Sequence, residues 1–403
     1  MTMNDIFLIT VLLFFLTACS GSTDTVPISL HPSPEYMPHP DVEPVMLEVA
    51  EAGDSIERFS DNIRLLHRVL HDDSLIVQKT ELSVLTGGNV EISSLNDSTL
   101  LILDKMVGQS YSNEQLIQYN IKNRTVEVVA VQGRGPGDLF LSEELAADRD
   151  KVYIAMQGFQ ISVFNCDVHP CEHEKVIETK YNHFSIAPYG EQIFFLGMAP
   201  FGLEQSLDLS KTNQNLIFKM DDEGRILDSF FPVYQFKSPI VRGNLNEGGM
   251  VRRYPLHNST IVTMEYYPFI YEYDDNGNLK AKYQIPGFVQ SFYEYDENTR
   301  GSTFLNRGDN SSIIFTKKIN SHELLIGLKE RRDAEWISRE EGFKGEEWVS
   351  YYIFNIENNQ FYHIGDDAFA QPYSGQKKII YVVDQGVIIN ELGTLYLINN
   401  SDA

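Results

Sequence analysis

The chain is poor in cysteine, in tryptophan and in positive charge, and each shortage excludes something. Three cysteines in 403 residues exclude a disulfide-dense scaffold. Lys and Arg total 32 against 57 Asp and Glu, a net charge of −25. Phosphate backbones repel such a surface, so nucleic acid is not expected as a partner; a basic protein, a bound cation or simple solubility remains. No apolar run reaches the roughly 18 residues of a spanning helix. From residue 45 onward helical periodicity is nearly absent, and no GxSxG elbow or HExxH pair occurs. No catalytic residue, cofactor or metal is therefore assigned.

What is present begins with residues 6–18, a short apolar run that suits a signal-peptide core. It ends in Leu16-Thr17-Ala18-Cys19. Small residues before a cysteine resemble the lipobox of bacterial lipoproteins, which implies cleavage after Ala18 and lipidation of Cys19. The next stretch, "SGSTDTVPISLHPSPEYMPHPDVEP", is rich in Ser, Thr and Pro and reads as a tether, with His31 and His39 solvated. The expected division is a signal peptide over 1–18, a tether over 19–44 and a folded domain over 45–403.

Tyr (21) and Phe (24) are abundant, which favours strands. "LIFKMDDEGRIL" (216–227) and "FIYEYDDNGNLK" (269–280) share one plan. Alternating apolar residues lead into an acidic turn with Gly224 or Gly277, then another strand, which is hairpin chemistry. The unit's mark is an apolar or aromatic residue followed by Asn or Asp. It recurs at Tyr119-Asn120, Phe164-Asn165, Met220-Asp221, Tyr273-Asp274, Phe354-Asn355 and Ile398-Asn399, at steps of 45, 56, 53, 81 and 44. Upstream of each mark lies another strand-like run: "STLLIL", "KVYIAM", "QIFFLGM", "STIVTM", "ELLIGL" and "GVIINEL". Six such units predict an all-β fold, a six-bladed β-propeller, because the period is near the 40–50 residues typical of blades. A β-sandwich pair is the alternative. The last unit stops after its third strand, so a strand from residues 45–84 is expected to close the ring.

"VQGRGPGDLF" (131–140) raises the question of a phosphate loop. No Lys-Ser/Thr follows Gly137, Pro136 interrupts the dinucleotide fingerprint, and strand character soon returns. The stretch reads instead as the crossing from the first blade to the second. Gly133, Gly135 and Gly137 are expected to supply positive φ, Pro136 a rigid bend, Asp138 bonds to local amides, and Arg134 a partner for Asp138 or a neighbouring blade. Gly133-Arg134-Gly135-Pro136-Gly137-Asp138 resembles the G-x-G-P-G-[DE]-F stretch of the TolB-like six-bladed propeller lipoproteins of Bacteroidetes, with Leu139 intervening before Phe140. The resemblance implies an envelope-anchored propeller with no generally established chemistry.

"FNCDVHPCEHEK" (164–175) holds Cys166, His169, Cys171 and His173, in a spacing that matches no standard zinc module. A disulfide between Cys166 and Cys171 across a hairpin tip is expected. His67 and His71 would share a helix face, but residues 64–73 read as strand and turn. "DDEGR" and "DDNGN" lack the rest of a calcium loop and read as hairpin turns. Two stretches read as loops of a ligand face: "KSPIVRGNLNEGGMVRRYP" (237–255), flexible, with Arg252 and Arg253, and "KERRDAEWISREEGFKGEEW" (329–348), with Trp336 and Trp348.

The sequence thus predicts a lipid-anchored propeller of the cell envelope that acts as a protein- or carbohydrate-binding or scaffolding module. It would be held to the outer membrane by its lipid. The alternative is a propeller hydrolase or lyase with an axial metal. Three or more ligating side chains from different blades at the axis favour the enzyme, and an apolar or ion-paired plug favours binding.

Overall fold

A computed structural model describes residues 30–31, 38–72, 79–86, 89–105, 113–157, 159–198, 215–234, 248–290, 292–296, 301–305, 309–338, 342–368, 379–391 and 393–399. Cys19 and most of the segments expected to be signal peptide and tether lie outside them. The N-terminal part contributes β1 (Leu30–His31), β2 (Val45–Met46), β3 (Val49–Glu51), a 3-10 turn (Gly53–Arg58), α1 (Asp61–His71) and β4 (Thr80–Leu85).

Six antiparallel sheets follow. Blade 1 is β5 (Val90–Asn96), β6 (Thr99–Asp104), β7 (Gln115–Asn120) and β8 (Thr125–Val131). Blade 2 is β9 (Ser142–Asp148), β10 (Lys151–Met156), β11 (Gln160–Asn165) and β12 (Glu172–Glu178). Blade 3 is β13 (Asn182–Tyr189), β14 (Gln192–Met198), β15 (Asn215–Asp221) and β16 (Ile226–Pro232). Blade 4 is β17 (Gly249–Tyr254), β18 (Ser259–Met264), β19 (Phe269–Tyr273) and β20 (Leu279–Gln284). After β21 (Phe292–Asp296) and β22 (Gly301–Leu305), which form a small sheet with β1, blade 5 is β23 (Asn310–Lys318), β24 (Glu323–Ser338), β25 (Gly342–Asn355) and β26 (Gln360–Ala368). Blade 6 is β27 (Ile379–Val383), β28 (Gly386–Glu391) and β29 (Thr394–Asn399), completed by β4. The chain is a six-bladed β-propeller, closed by an N-terminal strand.

The repeating Asn or Asp sits at the end of the third strand of every blade, and in blades 1 to 5 it caps the turn to the fourth. Asn120 Oδ1 accepts the Asn123 amide at 2.9 Å, and Asn165 Oδ1 the Asp167 amide at 2.9 Å. Asp221 Oδ1 takes the amides of Glu223 and Arg225, Asp274 Oδ1 those of Asn276 and Asn278, and Asn355 Oδ1 those of Glu357 and Asn358. A short acceptor holds the turn closed where the ladder ends, so the residue type recurs while its neighbours vary.

Six apolar clusters fill the six gaps between blades. Between blades 3 and 4 the filling is aromatic: Tyr234 stacks on Tyr267 with centroids 4.0 Å apart, and its hydroxyl meets that of Tyr271 at 2.8 Å. Between blades 5 and 6 the buried Ile63, Leu66 and Val69 of α1 join Ile353, Ile364 and Ile389.

The N-terminal region differs from the expectation in three ways. Residues 64–71 are helical, because Ile63, Leu66 and Val69 form one apolar stripe that fills a wedge between blades. His67 and His71 stack at 4.2 Å on that helix. The tether's end is not solvated throughout: β1 includes His31, and His39 Nε2 lies 2.6 Å from the Tyr273 hydroxyl. Burial, then Lys282, lowers the His39 pKa. Finally, β2 and β3 add to blades 4 and 5 as parallel fifth strands beside β20 and β26. This N-terminal strap touches three consecutive blades before β4 closes the sixth.

Candidate functional site

Antiparallel pairing fixes which connections share a face. Turns from first to second and from third to fourth strand lie on one face; the others lie on the opposite face. The first group is short throughout, with first turns at 97–98, 149–150, 190–191, 255–258, 319–322 and 384–385. The second group holds the long segments 105–114, 199–214, 233–248, 285–309 and 369–378, and the far end of the β24–β25 hairpin. The propeller thus has a narrow face of tight turns and a wide face at which the longer connections begin and end.

The first strands β5, β9, β13, β17, β23 and β27 surround the axis. Each is an edge strand, so its outward backbone groups need partners. A repeated register position supplies them. Glu91 Oε2 accepts the Leu145 amide at 2.6 Å, Glu144 Oε2 the Ile186 amide, Ser185 Oγ the Val251 amide at 3.1 Å, and Met250 Sδ the Thr316 amide at 3.0 Å. Each side chain reaches from one blade to the next, and the Tyr381 hydroxyl links blade 6 to Val90 O of blade 1 at 3.0 Å.

Two cations occupy a second register position, one step along from Val251 and Thr316. Arg252, from blade 4, extends to blade 2. Its Nη2 meets Glu144 Oε1 at 2.9 Å, its Nε donates to Thr316 O at 2.8 Å, and its Nη1 donates to Ser185 Oγ and Val251 O. Lys317, from blade 5, extends to blade 1 and donates to Ile92 O at 3.4 Å. Burial pulls the Lys317 pKa down to about 8, against the opposing pull of Asp384 and with the help of Arg252. Glu91 pairs with Lys105 at 2.6 Å, yet burial still raises its pKa. The axis is therefore crossed by one ion pair, Arg252–Glu144, and by the Lys317 side chain. Among the described residues no three His, Cys, Asp or Glu side chains are placed to hold one metal ion.

No family model and no curated protein matches the chain. Solved structures do. A member of the DUF4221 family from Bacteroides vulgatus is 10% identical, with a TM-score of 0.48, over 79% of this chain and 93% of that one. A streptogramin B lyase is 10% identical with a TM-score of 0.41, over 79% and 95%. A structural genomics protein of unknown function from Bacteroides thetaiotaomicron is 11% identical with a TM-score of 0.40, over 79% and 72%.

The ligand-face residues expected from the sequence are dispersed. Arg252 and Arg253 are not in a flexible loop; both lie on β17, the first strand of blade 4. Arg252 points into the axis. Arg253 is buried toward blade 3, 5.2 Å from the Phe194 ring, with its Nη2 on Asp275 and Asn258. Residues 329–338 and 342–348 are not loop either. They continue β24 and β25, with Trp336 paired with Phe343 and Trp348 with Glu330. The Trp348 Nε1 donates to Glu330 Oε2 at 3.1 Å and to Ser350 Oγ at 3.0 Å. The Trp336 side chain lies outside the described residues.

In the Gly133–Asp138 turn, Asp138 Oδ2 accepts the Gly135 amide at 2.6 Å, and Gly133 donates to Leu139 O at 3.1 Å. Of the three glycines only Gly137 has a positive φ, +84°. Gly133 is instead required by the Asp138 carboxylate, which lies 2.1 Å from where a Cβ would stand. Arg134 is exposed and belongs to none of the described ion pairs. The turn binds its own carboxylate and packs on His173 of blade 2.

Cys166 and Cys171 are joined in a disulfide, Cα atoms 4.2 Å apart, at the β11–β12 turn. This is not an isolated tip. Cys171 is buried among Leu103, Leu116 and Leu139, and its amide donates to Gln118 Oε1 of blade 1 at 3.0 Å. His169 lies beside Glu127 at 3.5 Å, while His173 packs edge-on against Phe164, so the four Cys and His residues do not converge.

Sequence reasoning missed Glu91, Glu144 and Lys317. Their signal was the charge in first strands whose second-strand partners are apolar: "NVEISS", "SEELAA" and "IIFTKK". Aligning the units on their second strands brings those charges to neighbouring register positions.

Proposed function

We propose that the protein is a lipid-anchored binding or scaffolding module of the cell envelope, of the TolB-like propeller lipoprotein type, and that its wide face carries the ligand. The observation that carries this reading is the division of labour within the ring. The acidic side chains at the axis are engaged by Arg252, Lys105 and backbone amides, while the long connections begin and end on one face. No observation favours the axial-metal hydrolase or lyase. The lipobox-like Leu16-Thr17-Ala18-Cys19 supports the anchor, and a protein is the ligand that a projecting β-hairpin suits best.

Two experiments test this. Cys19→Ala is expected to move the protein from the detergent phase to the aqueous phase of a detergent-partition assay; unchanged partitioning overturns the anchor. A photo-crosslinking amino acid at Asp333, on the β24–β25 hairpin, is compared in cells with one at Arg124, on the narrow face. The expected result is an adduct of defined mass from position 333 alone. No adduct from 333, or the same adducts from both, overturns the wide-face reading.

A further inference from the structure

Arg252 and Lys317 occupy the same register position in blades 4 and 5, and both reach across the axis, but their surroundings differ. Arg252 has one carboxylate, one hydroxyl and two carbonyls as acceptors. That accounts for every nitrogen of its guanidinium. Lys317 has three donors and one long bond, to Ile92 O at 3.4 Å. Among the described residues it forms no ion pair. Asp384, from the narrow-face turn of blade 6, is the one carboxylate close enough to act on it electrostatically. The Asp384 amide donates to Ser94 Oγ at 2.8 Å, and Ser94 donates to Gln385 Oε1 at 3.1 Å, so neutral polar groups stand at this end of the axis. The neighbouring charges cancel in pairs, Glu144 with Arg252 and Glu91 with Lys105. Among the described residues Lys317 is left with no carboxylate in contact, only Asp384 acting at longer range. Lys317 keeps partial exposure, as do Glu91, Glu144 and Arg252.

We propose that the axial channel binds a small oxyanion, a carboxylate or a phosphate, on the Lys317 ammonium from the narrow-face side. A charge-assisted bond in a partly dehydrated channel is shorter and stronger than one at the surface, and the remaining Lys317 donors suit a multivalent acceptor. The site does not depend on the wide-face reading, because it uses neither the long connections nor the β24–β25 hairpin. Lys317 and Asp384 compete for one charge balance: the carboxylate of Asp384 repels the anion that Lys317 attracts.

The test is calorimetric titration of the full-length protein in detergent, at low ionic strength, with sodium phosphate and separately with sodium acetate. Saturable binding of at least one is expected, and the pair tells a phosphate site from a carboxylate site. Lys317→Met should weaken it at least about tenfold, Lys317→Arg should retain it, and Asp384→Asn should tighten it by about threefold or more. Lys317→Met removes a buried charge and should fold, with melting as the check. Retained binding in Lys317→Met overturns the proposal, as does absence of saturable binding of either anion below about 10 mM in the wild type. Should Lys317→Met fail to fold, an affinity unchanged by Asp384→Asn overturns it and a tightened one supports it.

Discussion

Replacing Gly137 by alanine should be the most damaging single methyl addition in the Gly133–Asp138 turn. Two separate costs act there. The backbone has φ +84°, so an L side chain is strained by about 1–2 kcal/mol. The new Cβ would also stand 2.9 Å from both Cβ and Cγ of His173. Those atoms belong to β12 and cannot swing aside as a side-chain terminus does, which adds overpacking of about 1–3 kcal/mol. The sum is about 2–5 kcal/mol. Gly135→Ala is the control. Its φ is not positive, and its Cβ would meet only the Asp138 carboxylate at 3.0 Å, a mobile group in an exposed turn. It should cost below about 1 kcal/mol. Gly133→Ala falls between them, because the Asp138 carboxylate must move away and its bond to the Gly135 amide is lost. The cost of Gly133→Ala should therefore shrink in an Asp138→Ala background, a non-additivity expected of residues that share one contact. Urea unfolding of the four single variants and the Gly133→Ala/Asp138→Ala double variant measures all of this. A Gly135→Ala cost equal to or above that of Gly137→Ala would refute the argument, as would full additivity of Gly133→Ala with Asp138→Ala.

Three other outcomes follow from the same contacts. Glu144→Gln should destabilise the protein by about 3 kcal/mol in urea by leaving Arg252 half-paired in the axis, and replacing both residues by Met should recover most of it; a double variant weaker than the single one contradicts the pairing. His363 is pushed up to about 9, first by its bond to Asp366 and also by Glu51 of the strap. Because the folded value is raised, this stabilisation is complete below about pH 6.5 and is lost as pH climbs through about 9; it should amount to about 1 kcal/mol after screening, and His363→Gln should flatten that part of the stability–pH curve. Non-reduced peptide mapping should find Cys166 linked to Cys171, and reduction should cost less than the roughly 3 kcal/mol of a 15-residue loop, since this loop is shorter; two free thiols with bound zinc count against it.

The blade count was legible because its signal is local. An Asn or Asp that caps the turn after the third strand, as in blades 1 to 5, needs only its own following amides, so each of those repeats shows it independently. The closing strand was legible from the same count, one strand missing at the far end. The glycine turn was legible as a crossing but not in its detail. Three glycines look alike in sequence, whereas one serves a positive φ, one a carboxylate's close approach, and one little of either. The tips of the longer insertions were misread for a related reason. Charged residues in "KERRDAEW" suggest a solvated loop, yet Glu330, Arg331 and Glu347 pair across strands and extend the sheet.

The strap was least legible, and its reason is physical. β2 and β3 are two and three residues long, too short to carry an alternation. They are strands only because β20 and β26 offer open edges, so the information lies in the partner. The two contacts are close in sequence but lie on different blades, and the chain between Met46 and Val49 places the buried Leu47 in the gap between those blades. From there α1 enters the next gap and β4 completes the last blade. One continuous segment therefore joins blades 4, 5 and 6, beside the point where a circular fold assembled from a linear chain must close. An anchor at Cys19 would pull on this segment first, and it is held by backbone pairing, by Leu47 and by the apolar face of α1 before any load reaches β4.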